Sequence, residues 1–212
     1  MHHIIGKGSA ASHITISEID AIDLTDVELV HVTGIPPAHF TKCKKSDLPF
    51  DGQSKGGRNI ITFDPNLRPV LWEDEETMCT VLNQLAAKAD VVLTGIGECK
   101  ILAGTEDKKE AAEFLSEVGV KTVIIKDGSK GAYVQTADEE LDVAGYKVEK
   151  VVDTVGAGDG FAVGVLSGIL EGLDLKDSVK KGNAIGAIQV MNIGDNEGLP
   201  TPKELKAFQE KQ

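Results

Sequence analysis

The run Asp153-Thr154-Val155-Gly156-Ala157-Gly158-Asp159-Gly160 places two aspartates around a Gly-Ala-Gly turn. Residues 146–152 before it alternate like a strand, and residues 161–173 after it carry apolar side chains at helical spacing. A strand that turns through glycines into a helix start offers unpaired backbone N–H groups and the positive end of the helix dipole to an anion. An aspartate in that first turn, set beside a phosphoryl group, is placed to accept a proton from an attacking hydroxyl. The chemistry that this combination suits is phosphoryl transfer to an alcohol.

Other residues could serve the same chemistry, each with a plainer reading beside it. In Phe63-Asp64-Pro65-Asn66-Leu67-Arg68-Pro69-Val70-Leu71-Trp72 two prolines stiffen the chain around Arg68. A guanidinium so held suits bidentate capture of a carboxylate or phosphate. A structural turn before a helix, with Pro69 at its first position, fits the same spacing equally well. Lys126-Asp127-Gly128-Ser129-Lys130-Gly131-Ala132 has glycines that let backbone approach a nucleotide, or simply make a hairpin turn. Glu98, in Thr94-Gly95-Ile96-Gly97-Glu98, reads as a phosphate-site or metal-site carboxylate, or as an ordinary acidic residue at a helix start. Gly194-Asp195-Asn196, taken alone, reads as a surface turn.

The elements that must position these residues follow from periodicity. Strands are expected at 29–33, 59–64, 91–94, 122–126, 132–135 and 146–151, and helices at 17–23, 69–89, 108–118, 156–173, 175–192 and 202–209. Alternating strands and amphipathic helices argue for an α/β domain on a mainly parallel sheet, whose ligands gather at the carboxyl ends of the strands. Residues 41–58, polar and Gly-rich, fall where a crossover helix belongs; they read as a loop or a weakened helix.

Composition narrows the functional classes. The net charge of −12 argues against nucleic-acid binding, which needs a basic stripe. Cys43, Cys79 and Cys99 lack C-x-x-C pairing and are expected to be reduced, as in a cytoplasmic protein. The five histidines include no ligand-spaced pair apart from adjacent His2 and His3. Gly160, Gly164, Gly168 and Gly172 form a G-x-x-x-G repeat, but the uncharged run there is far shorter than the ~20 residues a bilayer requires. Each interior glycine costs about 1 kcal/mol relative to alanine, so close packing on a neighbouring backbone is expected instead.

The run from Asp153 to Phe161 resembles the C-terminal signature of the ribokinase-like sugar kinases, the phosphofructokinase-B family. The resemblance implies a three-layer, Rossmann-like α/β fold, Asp159 as catalytic base, and Gly156, Ala157 and Gly158 as an anion hole. A bare Gly-rich turn favours an ordinary helix start, whereas the full run favours the kinase. Asp-Pro-Asn-Leu-Arg-Pro-x-Leu-Trp looks like the segment in 2-keto-3-deoxygluconate kinases whose arginine, here Arg68, binds the sugar acid. Residues 7–12, 33–38 and 194–198 look like further stretches of that group, and Asp195 matches a substrate contact. The resemblance also implies ATP and Mg²⁺, a nucleotide site including Lys126, Gly128, Gly131 and Thr154, and an indirect Mg²⁺ role for Glu98. Gly95 replaces the Asn of the family's Asn-x-x-Glu motif.

Residues 1–212 read as the C-terminal part of one such kinase domain, with the first strands, the Gly-Gly signature that grips the sugar, and most of the lid missing. Ile4, Ile5 and Gly6 stand where relatives show a Tyr-x-Arg. The partners expected are a sugar acid and ATP, with neither nucleic acid nor membrane; a homo-oligomer is compatible with the exposed sheet edge. The alternative is a truncated, inactive remnant that at most binds nucleotide. A P-loop or dinucleotide-binding protein is disfavoured, since no G-x-x-x-x-G-K-[ST] occurs and Gly156-Ala157-Gly158 lacks the third glycine.

Overall fold

The computed structural model describes residues 13–39, 53–54 and 57–211. These fall in two compact units whose boundary lies between Ile124 and Ile125. The stretch 7–12, Ile4 to Gly6, Cys43, His2 and His3 lie outside the described residues, as does most of 41–58.

The first unit is built on parallel strands. Its elements are α1 (Ile16–Asp20), β1 (Leu29–Thr33), α2 (Ile35–His39), the two-residue strands β2 (Gln53–Ser54) and β3 (Gly57–Arg58), β4 (Ile60–Asp64), α3 (Glu75–Ala86), β5 (Val91–Gly95), α4 (Ile96–Leu102) and α5 (Lys108–Glu117). Strand β1 runs parallel to β4 with Leu29 opposite Ile60 and Thr33 opposite Asp64. Strand β4 runs parallel to β5, Thr62 facing Val91, while β2 and β3 form a separate antiparallel ribbon. From Ile61 to Asp64 and from Val91 to Thr94 every residue is buried. Strands covered on both faces read as continuous apolar runs, which is why both were legible in the sequence.

One long helix pattern breaks up for a local reason. The pattern over 69–89 resolves into a 3-10 turn at Pro69–Leu71, an extended Trp72, and then α3. Asp74 stops a continuous helix, because its carboxylate caps α3 by accepting from the Thr77 amide at 2.6 Å. Helix α5 is capped alike by Asp107, which accepts from Lys109 and Glu110 amides at 2.9 and 3.1 Å. Cys79 and Cys99 are thiols. Burial, with Glu75 adding a smaller push, raises the Cys79 thiol above its ordinary range, which makes it a poor nucleophile.

Strand β6 (Thr122–Lys126) carries the chain into the second unit, which contains β7 (Gly131–Gln135), β8 (Glu140–Ala144), α6 (Ala157–Leu170), α7 (Leu175–Gln189) and α8 (Pro202–Gln209). Strands β7 and β8 are antiparallel, Gly131 opposite Ala144 and Gln135 opposite Glu140. Here the sequence misleads. The strand expected at 146–151 is irregular, and β8 just before it is the true strand. The alternation of 146–151 instead turns Tyr146 and Val148 toward a cavity. The Val152 and Asp153 amides then bond the Val190 carbonyl beyond α7, at 2.7 and 3.3 Å, rather than a strand partner.

Helices α6 and α7 are pressed together through glycine. A Cβ built on Gly164 would lie 2.5 Å from Gly182 Cα, and one on Gly168 would lie 2.7 Å from Ser178 Oγ. Gly164 and Gly168 are therefore close-packing positions, whereas Gly160 is in ordinary contact and Gly172, at φ 76°, faces open space; no helix among the described residues is long and apolar enough to cross a membrane. Two effects oppose one another in Gly164→Ala: a helix-propensity gain of about 1 kcal/mol and an overpacking cost of roughly 1–3 kcal/mol or more. The neighbour is backbone and cannot give way, so net destabilisation is expected in urea unfolding. Gly97→Ala, where a Cβ meets nothing within 4 Å, is expected to be neutral or stabilising.

Candidate active site

Among the described residues, four helices begin on an N-cap side chain that accepts a hydrogen bond from the first turn. Asp74, Asp107, Asp174 and Thr201 each accept from a backbone amide at the starts of α3, α5, α7 and α8. Helix α6 does not: its N-cap is Gly156, at φ 75°, with no side-chain hydrogen bond. The first-turn amides of a helix have no intrahelical acceptor; here the Ala157 amide makes one long bond, 3.4 Å, to the Thr154 carbonyl, and no side chain of the N-cap covers the dipole end. A left-handed φ favours glycine, and Gly156 is also hemmed in. A Cβ there would lie 2.6 Å from Asp195 Cα and 2.9 Å from Gln189 Nε2.

Asp159, three residues into α6, is exposed. Geometry at the helix start thus places a carboxylate beside the amides of Gly156, Ala157 and Gly158. A cation joins them: Lys126 Nζ comes within 3.8 Å of the point a Gly158 Cβ would occupy. A positive dipole end, backbone donors and an ammonium group together form a setting for an anion. Asp153, which opens the run, works structurally. Its carboxylate accepts from the Val155 amide at 3.0 Å and from the Gly194 amide at 3.3 Å, tying the helix start to the 194–198 loop.

Immediately beside this start lies a cavity of about 440 Å³, within the ~300–1,000 Å³ typical of small-molecule sites. Lys126, Gly128, Gly131 and Thr154 all line it, with Ala157 and Gly158 at the helix start. The rest of its wall is largely apolar, and includes Val148, Val151, Phe161 and Val190. A mostly apolar chamber therefore ends on the uncapped start of α6. Asn183 is a wall residue that the sequence reading missed, and its Nδ2 donates to the Val143 and Ala144 carbonyls at 3.0 and 3.1 Å. Nothing in its local pattern marks it, because its role comes from the packing of α7 on β8. Tyr146 is braced from behind by α8: its ring packs 5.4 Å from Phe208, and Gln209 Nε2 donates to its hydroxyl.

In the first unit, Asp64 Oδ1 accepts from the Asn66 amide at 3.0 Å, and Asn66 itself sits at φ 41°. Arg68 Nη1 folds back on the Leu67 and Asn66 carbonyls, at 2.9 and 3.4 Å. Those contacts occupy one terminal nitrogen of a group with five N–H donors, and they hold the half-buried guanidinium in place. Glu98 locks this loop to α4: Oε1 accepts from Leu67 N at 2.9 Å, and Oε2 from Gly95 N at 2.7 Å. Its carboxylate is committed to backbone, and no cluster of three or more metal-ligating side chains exists among the described residues. A direct protein cage for Mg²⁺ does not fit this donor set; an ion carried on phosphates and reached through water does.

A model of the pfkB family carbohydrate kinases matches residues 4–202 of this chain. The chain is 45% identical over 202 residues to a 2-dehydro-3-deoxygluconokinase of Bacillus subtilis (strain 168), covering 95% of this chain and 62% of that protein. It is 34% identical over 199 residues to the 2-dehydro-3-deoxygluconokinase of Thermoproteus tenax, covering 93% and 60%. Among solved structures, fructokinase from Vibrio cholerae O395 in its fructose, ADP and calcium ion bound form superposes with a TM-score of 0.86 at 30% identity, over 96% of this chain and 67% of that one. The chain thus spans less than two thirds of the length of these two curated relatives.

Proposed function

Because the chain belongs to the pfkB family of carbohydrate kinases, we propose that it transfers the γ-phosphoryl group of ATP to a hydroxyl of a sugar acid, with 2-keto-3-deoxygluconate (2-dehydro-3-deoxygluconate) as the favoured substrate. The observation that carries the proposal is convergence: Lys126, Gly128, Gly131 and Thr154 meet the start of α6 on one cavity. These positions are scattered along the sequence, and a plain hairpin turn and a plain helix start have no reason to share a chamber.

The adenine and ribose of the nucleotide would occupy the apolar chamber, its phosphates running toward Gly158 and Lys126. Asp159 accepts the proton of the attacking hydroxyl, which makes the oxygen a competent nucleophile as it approaches phosphorus. The amides of Gly156, Ala157 and Gly158 donate to the transferring group as charge spreads over its oxygens, without reorganising. Arg68 recognises the carboxylate of the sugar acid as a planar, bidentate partner. When bound, Mg²⁺ would neutralise phosphate charge; Glu98, held by the Leu67 and Gly95 amides, would reach it only through water while it holds the Arg68 loop. Choice of a keto-deoxy sugar acid draws on the two similar kinases named above.

The test is a coupled ADP-release assay on the purified chain with Mg-ATP, comparing 2-keto-3-deoxygluconate with fructose. Turnover with the acid and none with fructose is the expected result. Preference for fructose would overturn the assignment of the substrate. A folded chain that turns over neither would overturn the activity itself.

A further inference from the structure

Gln189, the last residue of α7, is fully buried, yet only one end of its amide is satisfied. Its Nε2 donates to the Gly194 carbonyl at 2.8 Å, while Oε1 is buried with no hydrogen-bond partner among the described residues. An orphaned buried acceptor costs roughly 1–3 kcal/mol, so an apolar side chain would serve stability better at this position. What the amide does secure is Gly194. The Gly194 N–H is held from the other side by Asp153 Oδ2 at 3.3 Å, and Asp153 in turn holds the Val155 amide. Gly194 is gripped at both its N–H and its carbonyl. The next residue, Asp195, lies with its backbone against Gly156.

We infer that Gln189 is a positioning residue: through Nε2 and the Gly194 carbonyl it fixes Asp195 against the glycine start of α6. Its catalytic consequence rests on the kinase reading above; the clamp itself does not. With the clamp intact, the loop that carries a sugar contact and the amides that meet phosphate form one rigid body. Without it, the loop moves independently of the helix start and the sugar is presented to Asp159 in many orientations.

Two variants test this. Gln189→Leu removes both polar ends, and Gln189→Met keeps the length of the side chain but has no donor, so that one answers if the other fails to fold. Three quantities are read: amide hydrogen exchange at residues 194–198 and 155–157, Mg-ADP affinity, and kcat and KM for 2-keto-3-deoxygluconate. The expected result is faster exchange confined to those two segments and kcat/KM for the sugar acid reduced by about tenfold, the effect of one lost buried hydrogen bond. Mg-ADP affinity and the urea midpoint of Gln189→Leu are expected to hold. Unchanged exchange in both variants would overturn the clamp, and loosened exchange with unchanged kcat and KM would overturn its positioning role. If the wild-type chain has no turnover, the kinase reading fails, and the exchange data still decide the clamp.

Discussion

Asp159→Asn is expected to lower kcat by roughly 10²–10⁴-fold, the usual contribution of a positioned general base, while Mg-ADP binds as before. The amide keeps the shape of the carboxylate but has no basicity to take the proton of the incoming hydroxyl. Since Asp159 is exposed in the first turn of α6 and is not a wall residue of the cavity, its replacement leaves the nucleotide chamber intact. The substitution also deletes a negative charge where phosphates are expected, so nucleotide affinity should not fall and is free to rise. Coupled ADP release gives the rate, and calorimetry with Mg-ADP gives the affinity. Retained turnover would remove Asp159 from the role of base, and loss of nucleotide binding would show that the residue is structural.

Gly156→Ala should damage the site as severely by a different route. Its φ of 75° costs an L residue about 1–2 kcal/mol, and its new methyl would meet the Asp195 carbonyl oxygen at 2.8 Å and the Asp195 Cα closer still. Both neighbours are backbone, so the helix start and the 194–198 loop must separate. A displacement of ~1 Å at reacting groups costs on the order of 10² in rate. Turnover is therefore expected to fall at least that far, with a stability loss of roughly 1–3 kcal/mol from the strain and overpacking. Unfolding in urea and the ADP-release assay read the two effects separately. A variant with wild-type kcat would mean that these amides do not meet the transferring phosphoryl group.

Much of this was legible in the sequence because local signals and packing agree. Strands β4, β5 and β6 read as buried apolar runs, and β1 (Leu29–Thr33), β6 (Thr122–Lys126) and α8 (Pro202–Gln209) fall on their expected bounds. The Asp153–Gly160 run announced an uncapped helix start, since glycines at the turn can be explained only by backbone approach or a positive φ. What sequence could not supply came from contacts between elements far apart in the chain. Residues 146–151 alternate like a strand, but the faces they divide are a cavity and solvent, not two sides of a ladder. Strand β8 (Glu140–Ala144) was not expected, since its mostly exposed residues, Glu140 and Asp142 among them, give no apolar run. Asn183 and Gln189 carry no motif at all; each matters because α7 brings it to β8 or to the 194–198 loop. Glu98 was visible as a helix-start acid, yet its hold on Leu67 crosses 31 residues.

The most direct test of a nucleotide site at the α6 start is to titrate Mg-ADP into the ¹⁵N-labelled chain and follow the backbone amides. A nucleotide seated at the α6 start would give saturable shifts that cluster at Gly128, Gly131, Gly156, Ala157 and Gly158 and at the cavity wall around Gly186 and Val190. No saturable shifts in a folded chain, or shifts that cluster away from the α6 start, would contradict it.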